Sequence, residues 1–206
     1  MADMLTSAID GLAFAYVLLF FPAPIFWMII HPGIRFWRRF GNRSFFVALG
    51  VWGVCGAALV HERHALFSQR LGRNPFTWMA GLALLGIVFW INRQVHHQFS
   101  LRRLAGFPEL NPERHPGGVV RSGIYSRLRH PRYVEFMLSF LALGLLTGAL
   151  GIFVLAIVTV LLYLIVAPLE EQELREHYGA EYDAYTREVP RFVPRLRRRN
   201  KLQTSS

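Results

Sequence analysis

The chain has 206 residues, 53% hydrophobic and only 17% charged, with 23 basic side chains against 13 acidic ones and a net charge of +10. Soluble domains carry about 25% charged residues, so the deficit argues against a water-soluble globule. Hydrophobicity excludes disorder, and the single Cys55 excludes a disulfide framework. The positive excess is 22 Arg against one Lys, gathered in short clusters between long uncharged stretches. That is the pattern of a membrane protein rather than of a nucleic-acid footprint.

Four stretches lack Asp, Glu, Lys and Arg: 11–30, 44–60, 74–92 and 136–169. A helix needs about 20 apolar residues to cross a bilayer, so each of the first three predicts one span. Span one is not a cleavable signal, because Asp3 and Asp10 flank it where a signal peptide carries basic residues. Pro22 and Pro24 predict a kink within it. Span two carries Gly50, Gly53 and Gly56 along one side, a small-residue stripe suited to close helix packing. The fourth stretch, with 34 residues, is too long for one crossing. Gly144, Gly148 and Gly151 near its middle predict a helical hairpin over 131–169 that turns around 147–151. Pro131 suits the first helical position of the ascending arm. The descending arm is expected to run past the membrane surface through 170–178 and to stop at Gly179.

The expected fold is therefore all-α: a polytopic membrane helix bundle of about five transmembrane helices, the last two a hairpin. Arg clusters follow spans one, three and five, and an odd number of spans puts all of them on one side, the cytoplasmic one. Residues 1–92 are expected to hold three N-terminal transmembrane helices, and 195–206 a flexible basic tail drawn to anionic lipid. Gly144-x-x-x-Gly148 is expected to serve packing within the chain, with monomer and homodimer both left open.

Two polar segments flank the hairpin, and its geometry predicts that they meet. Arg129, His130 and Tyr133 should face Glu170 and Glu171 at one depth. Gly123, Tyr125, Pro131, Tyr133, Gly179, Tyr182, Tyr185, Pro190 and Pro194 punctuate these segments with rigid and aromatic residues that an ion-pair anchor does not need.

The string Gly-x-Tyr at 123–125 followed by Arg-His-Pro-x-Tyr at 129–133 resembles the isoprenylcysteine carboxyl methyltransferase and phospholipid methyltransferase family. So do Glu-Glu-x-x-Leu-x-x-x-Tyr-Gly-x-Glu-Tyr-x-x-Tyr at 170–185 and Val-Pro-Arg-Phe-Val-Pro at 189–194. The resemblance implies an integral membrane methyltransferase using S-adenosylmethionine, with its catalytic part in 93–194 and its active site on the cytoplasmic side. It implies Arg129, Glu170 and Glu171 as catalytic candidates. As cofactor-binding candidates it implies Gly123, Tyr125, His130, Pro131, Tyr133, Glu170, Glu171, Tyr182 and Arg191. Arg129 is expected to orient an acceptor carboxylate, and Glu171→Gln to abolish transfer without unfolding the protein. The implied acceptor is a membrane lipid or amphiphilic small molecule: an isoprenylcysteine carboxylate, a phospholipid amine, or a smaller isoprenoid or thiol.

Glu135 departs from the family's usual Gly at that position and weighs against a bulky prenyl acceptor. The membrane would be the plasma membrane in a bacterium and the endoplasmic reticulum in a eukaryote. Two other readings are an NADPH-dependent sterol or enone reductase built on a similar hairpin, and a non-catalytic scaffold of the same fold. Metal catalysis is not expected, because His61-x-x-His64 and His96-His97 do not form repeated ligand boxes. No nucleic-acid partner is expected.

Overall fold

The computed structural model describes residues 2–98 and 118–195. The Arg cluster at 102–114 and the tail beyond Arg195 lie outside the described residues. Helix α1 (Ala2–Phe20) gives way at Phe21 to α2 (Pro22–Ile30), where Pro22 and Pro24 start a new helix. A 3-10 turn (His31–Gly33) leads into the short α3 (Ile34–Arg38). The helical course Met4–Arg38 covers 35 residues, so the first crossing extends beyond 11–30 at both ends. A second 3-10 turn (Gly41–Phe45) leads into α4 (Phe46–His61).

The segment that follows α4 contains a short helix, α5 (Arg63–Ser68). Gly151 admits it: a Cβ there would lie 2.5 Å from the Leu66 carbonyl oxygen. Helix α6 (Pro75–Gln98) begins at an Asn74 cap whose side-chain oxygen accepts the Thr77 N–H at 3.0 Å. It continues past the expected end at 92, because Asn92 still bonds Glu135 and Val95 still packs with Ile124, Val134 and Leu138.

The hairpin follows the sequence expectation closely. Helix α7 (Pro131–Thr147) opens on Pro131 and closes on Gly148 at φ 63, in the left-handed region that suits glycine. Helix α8 (Leu150–Tyr178) ends at Gly179, φ 55, and α9 (Ala180–Glu188) turns back from it. Gly144 faces the Phe153 ring, where a Cβ would come within 2.9 Å, so this glycine packs within the chain. Gly50, Gly53 and Gly56 differ from expectation: a Cβ on any of them meets nothing within 4 Å. No other helix of the described chain lies against that stripe.

Four helical stretches are long and apolar enough to cross a membrane: Met4–Arg38, Gly41–His61, Pro75–Gln98 and Leu150–Tyr178. The fifth arm, α7, has 17 residues, about 26 Å of helix, and packs between α6 and α8. The outer surface is apolar, with Phe76 80% and Val54 73% exposed. Such a surface is tolerated in lipid and not in water. The chain is thus a polytopic all-helical bundle.

Its two ends differ. At one, Asp10 accepts from Arg70 at 2.7 Å and from Arg73 at 2.8 Å, while both arginines also donate to the Thr147 carbonyl. This clamp ties α1 and the 70–73 segment to the hairpin turn. At the other end lie the 31–45 segment, the end of α6, the start of α7 and the end of α8. Arg35 reaches Glu176 there at 3.0 Å.

Candidate functional site

Three backbone features shape the site. Gly123 at φ 57 starts a 3-10 turn (Gly123–Ser126) that sets Ile124 and Tyr125 against Ile91 and Val95 of α6. Gly179 reverses the chain so that Tyr182 and Tyr185 pack beneath it. The backbone N–H groups of Arg129 and His130 donate to the carbonyls of Pro190 and Arg191 at 3.0 and 3.2 Å. That short pairing holds the 189–194 segment against the start of α7.

Glu171 sits at the centre with only 1% of its surface exposed. Its Oε1 accepts from Arg129 Nε at 3.0 Å, His130 Nε2 at 3.0 Å and Arg191 Nε at 2.9 Å. Its Oε2 accepts from Arg191 Nη2 at 2.7 Å. Burying a carboxylate is tolerable only with such compensation. Arg129 also donates through Nη1 to the carbonyls of Thr186 and Val189. Its fork, expected to meet an acceptor carboxylate, is therefore engaged by the protein itself, and Glu171, expected to be replaceable by Gln without unfolding, is a buried hub.

Glu170 is different. Its Oε2 accepts from the Tyr133 hydroxyl at 2.6 Å and lies 3.3 Å from His130 Nδ1. Its side chain is 24% exposed, and Oε1 takes no hydrogen bond from the described residues. Because both His130 nitrogens face carboxylates, only the doubly protonated ring donates to both. Burial by itself would lower the His130 pKa, but Glu170 and then Glu171 outweigh it and raise the value. His130 stacks on Tyr133 at 5.1 Å, and Tyr133 on Tyr163 at 4.3 Å.

The expected pairing of Arg129, His130 and Tyr133 with Glu170 and Glu171 is present, and Arg191 joins it. Pro131 is buried at the start of α7. Tyr182, 2% exposed, packs with Tyr185, Val189 and Leu174, and burial pushes its hydroxyl pKa up. The Tyr185 hydroxyl donates to the Tyr125 carbonyl at 2.7 Å and so joins the two polar segments. Glu135 is buried in the α6–α7 seam, accepting from Asn92 at 2.8 Å and from Arg132 at 3.4 Å.

Sequence reading missed several members. Gln98 accepts from the Ser122 hydroxyl at 3.0 Å, and its amide lies where a Cβ on Gly123 would fall. His31 pairs with Glu173 at 2.5 Å, and its neighbours Trp27 and Met28 pack on the Tyr133, Phe136 and Tyr163 cluster. Arg121 donates to the Glu181 carbonyl. Local motifs carried no signal for these partners.

The family described as Phospholipid methyltransferase matches residues 76–181. The match takes in Gly123 through Glu171 and stops before Tyr182 and Arg191. A methanethiol S-methyltransferase from Pseudomonas deceptionensis is 34% identical over 134 residues, 63% of this chain and 49% of that protein. Methanethiol S-methyltransferase 2 from Bradyrhizobium diazoefficiens is 39% identical over 74 residues, 35% of this chain and 27% of its own. The cobalt-zinc-cadmium resistance protein CzcN of Cupriavidus metallidurans is 40% identical over 79 residues, 38% of this chain and 36% of that one. The aligned regions thus span half or less of these relatives. With its family match covering just over half of the residues, the chain belongs to the phospholipid methyltransferase family.

Proposed function

We propose that the protein is an integral membrane methyltransferase that uses S-adenosylmethionine to methylate a nucleophile partitioning into the bilayer. The observation that carries this reading is the division of labour between the two glutamates. Glu171 is saturated internally, so it organises. Glu170 keeps an oxygen directed at no described protein donor, beside stacked aromatic rings.

S-adenosylmethionine supplies an electrophilic methyl group on a sulfonium, together with an amine, a carboxylate and an adenosine. The residues present suit it. Glu170 meets a cationic group, Arg191 has a guanidinium edge and 35% side-chain exposure for a carboxylate, and Tyr125 offers aromatic surface near Gly123. Arg129 acts as a positioning residue, holding Glu171 and the 189–191 segment in place. His130 stays charged between the carboxylates and fixes Tyr133 beneath it. The protein's contribution is alignment, which in favourable cases supplies about 7–11 kcal/mol.

The acceptor arrives from the membrane side, and the cofactor from the side bearing the Arg clusters, which the positive-inside rule makes cytoplasmic. The polar Glu135–Asn92 bridge closes part of the α6–α7 seam and disfavours a long prenyl chain there. Together with the names of the two thiol methyltransferase relatives, this favours a small thiol over an isoprenylcysteine or phospholipid amine.

The test is thermal unfolding in detergent with S-adenosylhomocysteine or NADPH. A ligand at 100 times its Kd adds about 2.7 kcal/mol, or about 5–10 °C for a chain of this size. S-adenosylhomocysteine is expected to give that rise and NADPH none. A rise with NADPH alone would establish the reductase reading, and no rise with either would establish the scaffold.

A further inference from the structure

The 31–39 segment and the end of α8 enclose a cleft of about 570 Å³, whose lining includes the apolar Ile34, Phe36 and Leu169 and the charged Arg35, Arg39, Glu173 and Glu176. We propose that this cleft is a binding site for an anionic membrane phospholipid, separate from the site of methyl transfer. Four observations carry it.

The first is depth. The helical course of the first crossing ends at Arg38 and the uncharged run of α8 at Leu169, so the cleft opens where both walls leave the apolar layer. Phe36 and Phe40, 51% and 48% exposed, stand beside it as interfacial aromatics do. The second is charge. Residues 31–45 carry Arg35, Arg38, Arg39 and Arg43, while the facing turns of α8 offer Glu173 and Glu176. Both acids are already engaged, Glu173 by His31 and Glu176 by Arg35. Arg39 and Arg43 have no carboxylate partner among the described residues. A guanidinium matches phosphate oxygens in bidentate fashion, and Arg39 lines the cleft.

The third is shape. The 31–39 wall carries Ile34 and Phe36 together with Arg39, and the facing turn of α8 adds Leu169, which suits a molecule whose chain lies along Ile34 and Leu169 while its phosphate meets Arg39. A free phosphate would use Arg39 alone. The fourth is position. The floor of the cleft is the His31–Glu173 pair, and Glu173 lies one turn of α8 beyond Glu170. A lipid seated here would brace the N-terminal segment against the helix that carries Glu170 and Glu171.

The experiment is native mass spectrometry of the purified full chain in detergent, given equal amounts of phosphatidylglycerol and phosphatidylcholine. Phosphatidylglycerol has neither amine nor thiol, so its retention is independent of methyl transfer. Wild-type protein is expected to retain phosphatidylglycerol in preference to phosphatidylcholine. Arg39→Gln should lower retention about fivefold, the factor for one basic residue at a membrane surface. Arg39→Lys, which keeps the charge and loses the bidentate fork, should fall between wild type and Arg39→Gln, and millimolar inorganic phosphate should not displace the lipid. Equal retention of the two lipids, undiminished phosphatidylglycerol on Arg39→Gln, or displacement by phosphate would each overturn the proposal. Should Arg39→Gln not fold, Phe36→Ser, which removes the apolar wall, must show the same loss, and full retention there would overturn it equally.

Discussion

Replacing Glu171 by Gln keeps the shape of the side chain and removes the charge on which Arg129, His130 and Arg191 converge. The three respond differently. His130 can release its proton and become neutral. Arg191, with 35% of its side chain exposed, can turn toward water. Arg129 cannot: its side chain is 10% exposed and pinned by the Thr186 and Val189 carbonyls. One buried cation is thus left without a counter-charge. Breaking a buried pair costs about 3–5 kcal/mol, and relief at the other two groups places this case near about 3 kcal/mol. For a chain of this length that lowers the thermal midpoint by about 6–12 °C. The assay is thermal unfolding in detergent, wild type against variant, without ligand. A midpoint within about 2 °C of wild type would show that Glu171 is not the hub, and the reasoning about Arg129 would fail with it.

Arg129→Lys keeps a charge near Glu171 but cannot also bond two carbonyls, so about 1–2 kcal/mol should be lost. Hydrogen exchange of the His130 amide, which donates to the Arg191 carbonyl, should quicken, and unchanged exchange there would show that Arg129 does not hold the 189–191 segment. Gly123→Ala places a side chain at φ 57 and drives its Cβ to 2.5 Å from the Gln98 amide. The backbone term alone is about 1–2 kcal/mol, and the affinity for S-adenosylhomocysteine should fall at least about fivefold; wild-type affinity would exclude this loop from the cofactor site. The raised pKa of His130 sets a pH dependence. Its stabilisation is fully present below the ordinary histidine value of about 6.5 and fades as pH rises through the raised folded value. The midpoint of wild type should drop toward that of His130→Asn as pH is raised from 6 to 9.5, and a constant gap between the two would refute the assignment.

Features set by local chemistry were readable from the sequence. Pro131 could only start a helix, and Gly148 and Gly179 sit where the backbone needs a positive φ, so the hairpin and both of its ends followed from residue type. The meeting of Arg129 and His130 with Glu170 and Glu171 followed from the hairpin alone. The roles within that meeting did not. Whether Glu170 or Glu171 faces inward depends on the rotation of α8 about its own axis, which the nearly uniform apolarity of 150–169 leaves unspecified. The pairing of His31 with Glu173, of Gln98 with Ser122 and of Asn92 with Glu135 could not be anticipated either, since each joins separate segments whose relative placement is set by packing. The glycines of α4 show the opposite failure. Their spacing suggested a packed face, but small residues permit close contact without requiring it.

The most direct test of the central claim is methyl transfer itself. Membranes holding the protein, and matched membranes without it, would be incubated with S-adenosylmethionine carrying an isotopically labelled methyl group, with a small thiol added, and the products read by mass spectrometry. The expected result is a labelled methyl thioether, or a labelled membrane amphiphile, that forms only with the protein present and disappears in Glu170→Gln. Identical label in both membranes, with S-adenosylhomocysteine binding intact, would contradict the claim that this family member is a methyltransferase.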